Sequence, residues 1–229
     1  MTVDRTDAYD ELRAAFTAAV SHEFRTPLAR IAALLEGALL EEDDSRRLVE
    51  QARDEIEELS HLVDEVLFLS ELETGDALVT GGRTAVAGVV AQVFSEFRER
   101  AERAEVELRA DVEPAFELPL RRRLVRVVVE NLAENAIRYA GAGAVFLLAA
   151  HQQPDGLVVI ASDDGAGVAR NDLPRLFERF YRADRARGSR GTGLGLAIVK
   201  HVVTAAGGSV DAASRRGGGL VVTCRFPLR

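Results

Sequence analysis

A single cysteine, Cys224, leaves the chain without an intramolecular disulfide and without a zinc site built from thiolates. It fits a reducing compartment. Lysine is almost as scarce. Lys200 is the only one, and no Gly-Lys-Ser/Thr phosphate loop can be built around it. Long uncharged runs are missing. A run such as Tyr139 to Ala150 falls far short of the ~20 apolar residues that span a bilayer. The N-terminus, Met1-Thr-Val-Asp-Arg5, has no apolar signal core. An excess of positive charge is lacking as well. The net charge of -8 argues against wholesale binding to nucleic acid. The four histidines, His22, His61, His151 and His201, are scattered, which disfavours a transition-metal site. The chain is expected to be soluble, with no membrane contact of its own.

What is present suits a folded chain of one large or two small domains. Apolar residues make up 47% of 229, enough for a packed core, and the charged residues are mixed in sign. From about Asp7 to Leu40 one long helix is expected. Leu12, Phe16, Val20, Phe24, Leu28, Ile31, Leu35 and Ala38 recur in steps of four and three. His22 lies nearly opposite the centre of that stripe. Thr26 is one turn on, on the same side, and Glu23 is at the flank. Pro27 removes a backbone donor within this helix and is expected to loosen or bend it just after His22.

An acidic turn at Glu41 to Ser45 leads to a second helix, about Arg46 to Leu72. Val49, Ala52, Ile56, Leu59, Val63, Val66 and Ser70 form a heptad seam. A two-helix hairpin buries too little apolar surface alone. Pairing of two hairpins into a four-helix bundle, and so a homodimer, is expected. Gly75 stops the helix, and Gly81-Gly82 marks a joint. The expected domains are a helical hairpin at 1–74, a linker at 75–83 and a second domain at 84–229.

The second domain alternates periods. Helices are expected at Val86 to Ala104, Leu120 to Ala140 and Gly193 to Ala206. Strands are expected at Val106 to Val112, Phe116 to Leu118, Ala144 to His151, Leu157 to Ser162, Ser209 to Ala213 and Leu220 to Phe226. This order predicts an α/β (α+β) sandwich, a mixed sheet with helices on one face. Between about Arg170 and Thr192 no period survives. An arginine-rich loop of that length suits a lid.

Three stretches of this domain carry chemistry. Asp163-Asp-Gly-Ala-Gly167 follows a strand, where an aspartate can accept from an exocyclic amine; taken alone, the stretch reads more simply as a strand-end turn. Arg190-Gly-Thr-Gly-Leu-Gly-Leu196 opens a helix and presents free N–H groups suited to phosphate. Asn131, Asn135 and Arg138 share one helix face, which suits a magnesium ion and its phosphates, or an ordinary solvated face.

Together with Ser21-His-Glu-Phe-Arg-Thr-Pro-Leu28, these stretches resemble the sensor histidine kinases of two-component signalling, over nearly the whole chain. Ser21 to Leu28 looks like the H-box and Asn131 to Tyr139 like the N-box. Asp163 to Gly167 looks like the G1 box, Leu176 to Arg182 like the F-box and Gly191 to Lys200 like the G2 box. The resemblance implies a dimeric helical hairpin followed by an ATP-binding domain of the Bergerat type. It implies His22 as phosphoacceptor, Glu23 as its base or orienting carboxylate, and Thr26 as an aid to dephosphorylating a partner. Asn135 would hold Mg²⁺, with Asn131 beside the phosphates and Arg138 and Tyr139 near the phosphates and adenine. Asp163 would bond the adenine amine, with Gly165 and Gly167 shaping that pocket. Gly191, Thr192, Gly193, Leu194 and Gly195 would flank the triphosphate, and Phe177 and Phe180 would anchor the lid. The implied partners are a second copy and the receiver domain of a response regulator. The implied location is the cytoplasm, either free or as part of a membrane-anchored sensor. Arg138 stands where lysine is common, and Glu134 where a small or polar residue is usual. A phosphatase-dominant relative and a non-kinase Bergerat ATPase are the competing readings.

Overall fold

The computed structural model describes residues 5–40, 44–74, 82–183, 191–215 and 218–228, with the side chains of 5–16, 19, 73 and 74 set aside. Most of the expected linker and the loop arginines Arg185, Arg187 and Arg190 lie outside the described residues. The chain divides into two compact units, Met1–Phe68 and Leu69–Arg229.

The first unit is the expected helical hairpin. Helix α1 spans Arg5–Leu40 and continues through Pro27; helix α2 spans Ser45–Thr74. Arg30 Nη1 lies 3.7 Å from Glu55 Oε1, and a Cβ on Gly37 would meet Leu48 Cδ1 at 3.3 Å. Both pairs fit one antiparallel register, which sets His22 level with Val63. The single seam expected on α2 divides in two. Ala52, Leu59 and Val66 turn toward α1, whereas Val49, Ile56 and Val63, seven residues apart, remain exposed. On α1, Leu28 and Leu35 stay exposed while Phe24, Ile31 and Leu34 are half-buried. An a/d pattern covers two adjacent stripes of a helix, and one partner helix covers only one of them.

The second unit is an α/β sandwich. It contains β1 (Thr84–Ala85), α3 (Val86–Arg103), β2 (Glu107–Val112), β3 (Glu117–Leu118), α4 (Arg122–Tyr139), β4 (Val145–Gln153), β5 (Gly156–Asp163), a 3₁₀ turn at Leu173–Arg175, α5 (Gly195–Ala205), β6 (Ser209–Ser214) and β7 (Leu220–Phe226). The main sheet runs β2-β4-β5-β7-β6; β2 is parallel to β4 and the other pairs are antiparallel. Helices α3, α4 and α5 cover one face, with α4 packed against both others.

The core lies between α4 and the middle strands. Phe146 and Leu148 point inward from β4, Cys224 and Phe226 from β7, and Val128 and Leu132 come down from α4. Burying Phe146 alone contributes roughly 1.5–3 kcal/mol of transfer free energy. The two-residue β1, which the sequence does not signal, pairs with β3, and Thr84 Oγ1 donates to Leu120 O at 2.7 Å. Helix α5 begins two residues later than expected because Gly193 has φ +70, outside the helical region. Among the described residues no helix is long and apolar enough to cross a membrane.

Candidate active site

Helix α4 buries Leu124, Val125, Val128, Val129, Leu132, Ala133 and Ala136 and turns Asn131, Asn135 and Arg138 to another side, half-buried. Asn131 Nδ2 donates to Val127 O at 2.8 Å, which directs Oδ1 away from the helix axis. A Cβ at Gly195 would sit 2.6 Å from that oxygen. Only glycine lets the first turn of α5 approach Asn131 this closely. The side chains of Tyr139 and Arg138 meet the glycine turn that leads into α5, at Gly191, where a Cβ would lie 2.5 Å from Tyr139 Oη and 3.3 Å from Arg138 Nη1. Gly193 is held from the other side. A Cβ there would come within 2.8 Å of the Phe180 carbonyl carbon, and Phe180 N donates to Gly193 O at 3.0 Å. Phe180 itself has φ +61, a costly conformation for a residue with a side chain. Phe177 and Phe180 are half-buried, Leu194 is buried, and the Leu194 amide donates to Thr192 Oγ1 at 3.2 Å.

Asp163 ends β5 and is 7% exposed. Its Oδ1 accepts from Gly165 N at 3.0 Å and from Leu220 N at 3.3 Å. Gly165 lies flat against the end of α4, so that any Cβ would overlap Ala140 O; Ala166 N donates to that same oxygen at 2.9 Å. Gly167, at φ +71, passes close to Gly219 N. Beneath Asp163 and Asn135 is a cavity of about 10 Å³ lined also by Leu132, Phe146 and Val222. That volume is near the least that holds one water. The adjacent Asp164 is structural: its Oδ1 accepts from Val145 N at 2.6 Å and holds the start of β4.

The structure therefore brings Asn131, Asn135, Arg138, Tyr139, Asp163 and the glycines of both turns to one cleft edge. The sequence reading missed Leu220 and the glycine turn before it. Gly217-Gly-Gly219 was the available signal, and Gly219, at φ +93, leaves no room for a side chain over Asp163 O.

The cleft edge also carries charge. Glu134 Oε1 accepts from Arg100 Nη2 at 2.7 Å and from Arg138 Nη2 at 2.9 Å. Burial works to raise the Glu134 carboxyl, but the hydrogen bond from Arg100 and the charge of Arg138 outweigh it and hold the pKa below the usual value. For Glu130, one turn earlier on α4, burial prevails over Arg126 and the pKa rises.

In the hairpin unit His22 is exposed, Glu23 half-buried and Thr26 exposed. Thr26 Oγ1 donates to His22 O at 3.4 Å. His22 shares an open surface with Arg25, Thr26, Ala29, Arg30 and Ala33. His61 is exposed on α2, while His151 and His201 are half-buried. His151 lies beside Gln153, 3.1 Å between ring and amide nitrogens.

Residues 12–75 match the sequence model of the His Kinase A (phospho-acceptor) domain. Residues 121–229 match that of the histidine kinase-, DNA gyrase B-, and HSP90-like ATPases. The chain belongs to the histidine kinases. It is 34% identical to the sensor-like histidine kinase SenX3 of Mycobacterium tuberculosis over 93% of its own length and 53% of that kinase. Its fold overlays the histidine kinase AdeS of Acinetobacter baumannii with a TM-score of 0.74 at 26% identity, covering 91% of this chain and 98% of the other. Full-length ShkA in complex with AMPPNP gives a TM-score of 0.68 at 30% identity, over 92% of this chain and 45% of that one. The chain spans about half the length of the curated kinases it matches.

Proposed function

We propose that this chain transfers the γ-phosphoryl group of ATP to His22, and from His22 to an aspartate in the receiver domain of a response regulator. The observation that carries the proposal is the cleft edge at which Asn131 Oδ1 and the Arg138 guanidinium face the glycine turn Gly191–Gly195. Such an edge suits a polyphosphate: backbone N–H groups of the turn, the positive end of α5 and one cation lie together. Both hydrogen bonds just described for Asp163 fall on Oδ1, so Oδ2 is the acceptor offered to an adenine amine. The cavity beneath is too small for a purine, so the base would lie over its mouth. ShkA, a relative at 30% identity, binds AMPPNP, an ATP analogue, and this supports the same ligand here.

Magnesium would neutralise the phosphate oxygens, and Asn135 is the side chain that would hold it. Among the described residues no group of three His, Cys, Asp or Glu forms a metal cage. One amide oxygen completed by phosphate and water oxygens is the coordination that magnesium accepts.

Glu23, next to His22, is the carboxylate that takes the N–H of one imidazole nitrogen. The lone pair of the other attacks phosphorus. A P–N bond forms, the bond from phosphorus to the bridging β–γ oxygen breaks, ADP leaves and the ring proton passes to Glu23. A carboxylate oxygen of the receiver then displaces His22, and the P–N bond breaks. Exposure of His22 is what two successive visitors require. The exposed stripe of Leu28 and Leu35 on α1 and Val49, Ile56 and Val63 on α2 supports pairing with a second copy through the hairpin. The functional setting is the cytoplasmic side of a signalling protein.

The test is incubation with γ-labelled ATP and magnesium. Label should appear on the protein, be lost in acid and survive base, as phosphoramidates do. His22→Gln should take no label. Full labelling of that variant, or acid-stable label on the wild type, refutes the proposal.

A further inference from the structure

We infer that Glu134 is a positioning residue for the ATP phosphates: it fixes the Arg138 guanidinium against the glycine turn, while Arg100 cancels its charge. The inference rests on the reading that Arg138 meets the phosphates.

Glu134 and Arg138 are four apart on α4, so their side chains meet on one face. Arg138 Nη2 bonds Glu134 Oε1 at 2.9 Å, and its other terminal nitrogen, Nη1, faces the backbone of Gly191. One edge of the guanidinium is thus anchored and the other is presented to the turn. An anchored planar fork loses less freedom when it binds an oxyanion.

A carboxylate alone beside Arg138 would make a neutral pair and remove the attraction for phosphate. Arg100 of α3 prevents this. Its Nη2 bonds the same Oε1 at 2.7 Å, and its guanidinium lies 5.0 Å from the Phe97 ring centroid, which holds it in place. The three side chains carry a net charge of +1, and all are only partly exposed. The cluster keeps Arg138 both fixed and cationic.

The experiment measures equilibrium binding of ATP and the KM and kcat of His22 labelling on the full chain, with thermal melting of every variant. Arg138→Ala should weaken ATP binding. Glu134→Ala should raise Kd and KM about tenfold with a smaller change in kcat, and should add nothing in the Arg138→Ala background. Arg100→Ala should also weaken binding, and Glu134→Gln in that background should restore most of it, because the amide keeps an acceptor oxygen and drops the uncancelled charge. A purely structural role predicts lower melting temperatures with unchanged KM. The inference is overturned if Glu134→Ala binds ATP within twofold of wild type. Losses that add to those of Arg138→Ala, or no recovery in Arg100→Ala/Glu134→Gln, overturn it as well. Normal binding by Arg138→Ala would remove Arg138 from the phosphates and the inference with it. Loss there with none in Glu134→Ala removes only the inference.

Discussion

Gly165→Ala probes the joint between α4 and the aspartate loop. The added Cβ would overlap the Ala140 carbonyl, a backbone group with nowhere to go because Ala166 N is bonded to it at 2.9 Å. The loop must therefore shift. Forced overpacking costs roughly 1–3 kcal/mol. The shift also strains the bond from Gly165 N to Asp163 Oδ1, at 3.0 Å; a hydrogen bond to a charged group is worth about 1.5–3 kcal/mol. Together these effects amount to about 3–5 kcal/mol, or a fall of roughly 6–20 °C in melting temperature for a unit of this size. Asp163 also loses one of the two donors that aim it, so ATP affinity should fall alongside stability. Thermal melts and ATP titrations of the full chain read both. Gly88→Ala is the matched control. Gly88 sits within α3 with nothing within 4 Å of its Cβ position and should gain roughly 0.5–1 kcal/mol. A Gly165→Ala variant that melts within 1 °C of wild type and binds ATP normally refutes the reasoning.

Asn135→Ala should bind ATP with an affinity that no longer depends on magnesium; retained dependence in titrations with and without the ion assigns the metal elsewhere. Cys224 is buried and its pKa is pushed up to about 12 by desolvation. The thiol should resist alkylation at pH 8 until the fold is denatured, and mass spectrometry should find it unmodified in the native chain. Because the folded pKa lies above the ordinary 9.0, its share of stability is full below pH 9 and is lost as the pH climbs toward 12. Denaturant midpoints that stay flat across that interval contradict the assignment.

The glycines, the asparagine stripe and Asp163 were legible in sequence because each answers a local demand. Gly193 needs a positive φ, Gly195 needs room for Asn131, and Asp163 needs a strand end. What was not legible depends on distant partners. Arg100 and Glu134 are 34 residues apart and meet only because α3 and α4 pack side by side. The amide that completes the Asp163 cradle comes from Leu220, 57 residues away. Strand β1 is two residues long, too short to leave a period. The heptad pattern on α2 looks like one seam in sequence; only the register of the hairpin separates the residues that α1 covers from those it leaves bare.

Helix α4 has a consequence for inheritance. Of its 18 residues only Arg122, Arg123 and Tyr139 are exposed; the others, the half-buried Val127 and Ile137 apart, pack the core, edge the cleft or hold ion pairs. Almost no position on it is free to drift without altering both folding and phosphate recognition. Second-site suppressors of α4 lesions should consequently map to α3, above all at Arg100 and Glu96, whose side chains α4 already grips. A genetic screen that returns suppressors there would show the two helices varying as one heritable unit.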